Sequence, residues 1–186
     1  HKLLHAPFTL HDGLLKKIER EIEFANAGKP ARIIVKVNAV VEQEMIQAFY
    51  KASMAGVKVD LIVRGICCLK PGVEGLSENI QVRSIIGRFL EHTRVFYFEN
   101  NGNAEIWAGS ADLMKRNLLR RVETCFPIES KKLRNRILAD LEMYLNDNAQ
   151  AWILNADGRY HRVDKAEETP LISAQTSLLE EMAKSY

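Results

Sequence analysis

Ile33-Ile34-Val35-Lys36-Val37 and Val59-Asp60-Leu61-Ile62-Val63 enclose a stretch of helical pattern from about Val41 to Ala55. This unit decides the fold. Both outer runs are rich in β-branched residues, as buried strands are, and Gly56 supplies a stop for the helix between them. Strand, helix and strand joined by short connections give a parallel pair with a right-handed crossover. Arg64 stands where the second strand runs out. In open sheets of this kind ligands gather beyond the carboxyl ends of the strands, so Arg64 is the first candidate site residue.

Upstream lies a helix with Leu14, Leu15, Ile18, Ile22 and Ala25 at helical spacing, Gly28 at its end and Thr9 as its expected cap, with Asp12 in a capping-box variant. Downstream, Gly65 to Ser77 reads as a loop, and Ile80 to Ile85 resumes extended structure. Gly87 to His92 reads as a turn or short helical piece, and Arg94 to Phe98 as a strand. Asn100-Asn101-Gly102-Asn103 is a hairpin turn, since Asn and Gly tolerate positive φ. Glu105 to Ala108 returns from it, closing at Gly109-Ser110. A last core strand is expected within Arg121–Phe126, stopped by Pro127. Ser130 caps a helix carrying Leu133, Ile137, Leu141 and Leu145. Ala151–Leu154 and Tyr160–Val163 form a small hairpin about Asp157-Gly158. Thr169-Pro170 is a break, and Ser173–Lys184 a terminal helix.

The chain has 186 residues, 47% of them hydrophobic and 27% charged, which suits one globular domain or one domain with an appendage. The net charge of +2 is too small for a bulk nucleic-acid or membrane binder. Its distribution says more. Residues 64–121 hold nine Lys and Arg against six Asp and Glu, and seven of the nine are Arg. Arg suits bidentate contacts to phosphate oxygens; a solvated surface is the plainer alternative. Cys67, Cys68 and Cys125 show neither a disulfide framework nor zinc spacing. His1, His5, His11 and His161 have no spaced partners, so no metal is assigned. No apolar run is long enough for a membrane span. The first ten residues are not a signal peptide, and the missing initiator Met points to a piece of a longer chain.

Three features converge near expected strand ends: Arg64, the group Arg83-Arg88-His92-Arg94, and Gly109-Ser110-Ala111-Asp112 followed by Arg116, Arg120 and Arg121. Phosphoryl transfer needs dispersed positive charge on the phosphate oxygens and a proton donor for the leaving oxygen. Arg supplies the first and His the second. Residue by residue, plainer roles stay open: a surface position for His92, an ion pair capping a strand for Arg64, solvation for Arg120 and Arg121. There is no Walker-type phosphate loop and no dinucleotide fingerprint.

His92-Thr93-Arg94 with Glu99, followed by Gly109-Ser110, echoes the H-x-K-x4-D and Gly-Ser elements of the phospholipase D superfamily, with Arg for Lys and Glu for Asp. Longer strings are more specific. Lys36-Val37-Asn38, Tyr50-Lys51-Ala52-Ser53, Leu61-Ile62-Val63-Arg64-Gly65-Ile66-Cys67, Gly87-Arg88-Phe89-Leu90-Glu91-His92-Thr93-Arg94 and Arg116-Asn117-Leu118 to Arg121-Val122-Glu123 resemble the large, phospholipase-D-like type of polyphosphate kinase, over about Leu3 to Val163. The resemblance implies an α/β fold with a central mixed, largely parallel β-sheet flanked by helices. It implies a phospholipase-D-like C-terminal catalytic domain over residues 1–163, with a helical tail over 164–186. It implies ATP as substrate, transfer of its γ-phosphate to polyphosphate, and a phosphohistidine in a preceding domain. Mg2+ would then be ligated mainly outside this fragment, with no metal inside it, and the fragment alone would be inactive. Arg64 and His92 would contact ATP, His92 also as proton donor or transition-state stabiliser; Arg88, Arg94, Arg120 and Arg121 would line a polyphosphate channel. Implied partners are ATP/ADP, inorganic polyphosphate, the preceding domains and copies of itself as a homo-oligomer, with no nucleic acid and no transmembrane segment. The implied location is cytoplasmic, with membrane association of the intact enzyme as a variant. Two rival readings stand beside this one: a phosphodiesterase pairing two copies of the motif, and a non-catalytic polyanion-binding module.

Overall fold

The computed structural model describes residues 2–163 and 169–184. His1, and the parts of the expected tail at 164–168 and 185–186, lie outside the described residues. The elements in chain order are β1 (Leu4–Ala6), α1 (Leu10–Asn26), β2 (Arg32–Val37), α2 (Gln43–Met54), β3 (Lys58–Val63), β4 (Ile80–Ile85), β5 (Arg94–Phe98), β6 (Glu105–Gly109), α3 (Lys115–Leu119), β7 (Glu123–Pro127), α4 (Lys131–Leu145), β8 (Ala151–Leu154), β9 (Tyr160–Arg162) and α5 (Ala174–Lys184).

The strands form one mixed sheet in the order β1-β7-β6-β5-β2-β3-β4-β8-β9. The β2–α2–β3 unit is parallel as the sequence implies, and β4 extends it in parallel. All other pairings are antiparallel. The sheet is therefore α/β and mixed, but the expectation of a largely parallel sheet holds only for the central three strands. The reason is connection length. Residues 99–104 join β5 to β6, too few for a crossover, so the chain must reverse. Asn100, Asn101 and Gly102 all adopt positive φ in that turn.

Alternation along β2 sorts the two faces. Ile33, Val35 and Val37 pack with Leu14, Ile18, Met45 and Phe49 of α1 and α2. Ile34 joins Ile62, Tyr97, Ile106 and Leu141 on the α4 side. The result is a three-layer sandwich. The expected hairpin of β8 and β9 forms, but it pairs with β4 and lengthens the main sheet. Two short elements, β1 and α3, escape the sequence pattern.

Two helix starts differ in an instructive way. Ser130 accepts from the Leu133 amide, as expected. Thr9 does not cap α1; its hydroxyl accepts from the His5 backbone instead, closing the turn between β1 and α1. The cap of α2 is Glu42, which accepts from the Met45 amide at 2.8 Å.

Candidate phosphate site at the strand ends

Strand direction brings the candidate residues to one edge of the sheet. Arg64 follows the carboxyl end of β3. His92 precedes β5, which runs opposite to β2 and so begins at that same edge. Ser110 and Asp112 follow β6, and Arg120 and Arg121 precede β7, again at that edge.

Arg64 is fixed at its backbone by donation from its amide to Val37 O at 3.2 Å and by Ser84 Oγ donating to its carbonyl, also at 3.2 Å. Its Nη1 reaches the 86–93 loop, donating to Glu91 O at 3.0 Å and approaching His92 Nδ1 at 3.2 Å. Arg carries only donors, so in this contact His92 Nδ1 accepts. The neutral ring then keeps its proton on Nε2. Nε and Nη2 of Arg64 meet no protein acceptor among the described residues.

Behind the histidine the loop is tied at three further points. Lys36 Nζ pairs with Glu91 Oε2 at 2.8 Å and donates to Thr93 Oγ1 at 2.6 Å. Arg94 Nη1 donates to His92 O at 3.1 Å, while its Nε and Nη2 grip Asp112 at 3.2 and 3.1 Å. Asp112 also accepts from the Asn38 amide at 2.8 Å. Burial would raise the Asp112 carboxyl, but the Arg94 and Asn38 bonds hold it below the usual range. Gln175, at the start of α5, donates to Phe89 O and accepts from Phe89 N, and it also donates to Glu91. Gly87 passes so close to the tips of Gln150 and Gln175 that any Cβ would overlap them.

Two adjoining cavities share the Phe89–Glu91 wall. One, of about 310 Å³, is bordered by Arg64 and Arg88; the other, of about 520 Å³, by His92, Thr93 and Tyr144. Arg88 is exposed and lies over the Phe89 ring, 5.5 Å from its centroid. Arg94 is mostly buried and committed to Asp112. Arg120 and Arg121 are exposed in the turn between α3 and β7. No bond joins them to Arg64 or His92. Ser110 of the Gly-Ser element donates to Glu123, which Asn117 also holds at 2.7 Å. The residues missed from sequence are Lys36, Glu91, Thr93 and Gln175. The signal for Lys36 was available: a cation inside a run of buried β-branched residues needs a partner.

Over residues 3–175 the sequence matches the family described as polyphosphate kinase C-terminal domain 2. This chain belongs to the polyphosphate kinase family. It is 58% identical to a polyphosphate kinase of Pseudomonas putida over 98% of its own length and 55% identical to one of Pseudomonas aeruginosa. It spans only about a quarter of the length of these relatives, 25% and 26%. The structure of polyphosphate kinase from Porphyromonas gingivalis superposes with a TM-score of 0.95 at 36% identity, covering 100% of this chain and 28% of that one. Nuc from Salmonella typhimurium, a phospholipase D family member, superposes at 0.58 with 15% identity over 86% of this chain and 96% of its own. That likeness concerns the fold. A polyphosphate kinase domain on a phospholipase-D-like sheet is therefore what the sequence pattern anticipated.

Proposed function

We propose that this chain forms one wall of the active site of an ATP:polyphosphate phosphotransferase, in which Arg64 and His92 face the transferring phosphoryl group. The observation that carries this reading is the Arg64–His92 contact at 3.2 Å. It leaves Nε and Nη2 of Arg64 for phosphate oxygens and a proton on His92 Nε2 for a leaving or bridging oxygen. Positioning and charge stabilisation then supply the catalysis. A ring protonated on Nε2 and engaged on Nδ1 is a donor and a poor nucleophile. This fits a phosphohistidine located in a preceding domain of the longer protein, with ATP/ADP and polyphosphate as substrates.

Arg88 is the channel candidate closest to this pair, since it borders the same cavity as Arg64. Arg120 and Arg121 extend the cationic edge toward a polyphosphate chain. Arg94 serves better as a brace for the histidine, given its bonds to Asp112 and His92 O. The two carboxylates tied into the bonds around His92, Glu91 and Asp112, are each taken by a mostly buried cation, so these residues do not fit a Mg2+ ion; in the longer protein its ligands come from other segments. Residues 1–163 supply the chemistry of this domain, and Gln175 at the start of α5 braces the loop before His92. A cytoplasmic location and homo-oligomeric assembly follow from the same reading. Among the described residues no helix is long and apolar enough to cross a membrane.

The test uses the full-length protein. His92→Ala and Arg64→Ala each lower turnover by about two orders of magnitude or more while leaving the melting temperature near wild type. Turnover close to wild type in either variant removes that residue from the site.

A further inference from the structure

Lys36 is 3% exposed. Its Nζ lies 2.8 Å from Glu91 Oε2, 2.6 Å from Thr93 Oγ1 and 5.0 Å from the centroid of the Tyr144 ring. Glu91 and Thr93 are the two residues that flank His92. Burial pushes the Lys36 ammonium down in pKa, Glu91 pulls it up, and Arg64 and Arg94 push it down again. An apolar side chain would be the ordinary occupant, because Ile34 and Ile62 share this face of the sheet.

We propose that Lys36 is a positioning residue for His92, an inference that rests on the reading of His92 as the proton donor to the phosphoryl group. The ammonium grips the chain on both sides of the histidine at once. With residues 91 and 93 pinned, the one residue between them has little backbone freedom, and the imidazole stays against Arg64 Nη1. Arg64 and Arg94 also hold this loop, but each has a second partner or a free face. Lys36 spends its hydrogen bonds on the histidine's neighbours alone. Holding a reacting group to within a fraction of an ångström is what a locked supporting shell provides.

The test compares Lys36→Met, the double variant Lys36→Met/Glu91→Leu and His92→Ala in the full-length enzyme, reading kcat, KM for ATP and melting temperature. The lysine variant is expected to lower kcat by about tenfold or more, with KM for ATP changed less than about threefold. The double variant removes the stranded charge and so recovers part of the melting temperature, though Gln175 loses its Glu91 acceptor, but it does not recover kcat. In the His92→Ala background, Lys36→Met costs less than about twofold further. Wild-type kcat in Lys36→Met, or kcat that returns together with melting temperature in the double variant, overturns the proposal while an impaired His92→Ala leaves the site reading standing. A near-wild-type His92→Ala enzyme sinks both. Should the lysine variants not fold, Thr93→Val removes one arm of the grip; a kcat reduced at unchanged melting temperature supports the role, and an unchanged kcat rejects it.

Discussion

Arg94 holds Asp112 through two parallel bonds, Nε to Oδ1 at 3.2 Å and Nη2 to Oδ2 at 3.1 Å, with both side chains mostly buried. Removing the carboxylate strands a guanidinium behind His92. Asp112→Ala is expected to cost roughly 3 kcal/mol in denaturant unfolding, as broken buried pairs do. The pH dependence has a definite sign. The Asp112 carboxyl is held below its unfolded value, so its contribution is fully present above about pH 4 and is lost as pH falls through the lowered folded pKa. The stability gap between wild type and Asp112→Asn should be flat above pH 5 and narrow only in stronger acid. A gap that closes near neutrality would contradict this.

How much of this site was legible in the sequence depended on what set each position. Arg64 and His92 were readable because strand ends and family strings mark them. Lys36 announced only that a buried cation needs a partner; which partner, and the parts played by Glu91 and Gln175, could not be read, because these residues lie far apart in the chain and only tertiary packing joins them. The central β2–α2–β3 unit followed from periodicity and short loops. The antiparallel flanks depended on where each hairpin returns, which alternation does not specify. Strand β1 is three residues long, and α3 five, below the length at which a pattern can repeat.

Gly109 ends β6 against the main chain of β7. A Cβ there would lie 2.7 Å from Thr124 O and 3.1 Å from Cys125 Cα, both backbone atoms. Gly109→Ala should therefore lower stability by about 1–3 kcal/mol through a shifted strand. Thermal melts of the two proteins decide it; an unchanged melting temperature would show that β7 yields freely.

Glu105 offers a second acid-sensitive contact, on the α1 side of the sheet. It pairs with Lys17 at 2.6 Å and Arg20 at 2.7 Å and accepts from the Trp107 indole. Burial would raise its carboxyl, but these partners together pull it down to about 2. Its contribution is present above the ordinary glutamate value and fades as pH falls toward 2. Melting curves of Glu105→Gln should lie below wild type by a constant margin from pH 5 to 8, with the margin shrinking in acid. A constant margin at pH 2 would rule the assignment out.

The proposed division of labour makes a prediction for the isolated 186-residue chain. Incubated with γ-labelled ATP, it should carry no acid-labile, alkali-stable phosphate, whereas the full-length enzyme should. Stable label on the fragment would place the nucleophile here and reverse the role given to His92.

Gln175 satisfies both main-chain polar groups of Phe89 across a separation of 86 residues. One carboxamide thus stands in for the neighbouring strand that this loop lacks. Deuterium uptake at the Phe89 amide should accordingly follow how often α5 detaches, so that a probe beside the candidate phosphate site gauges the docking of the C-terminal helix.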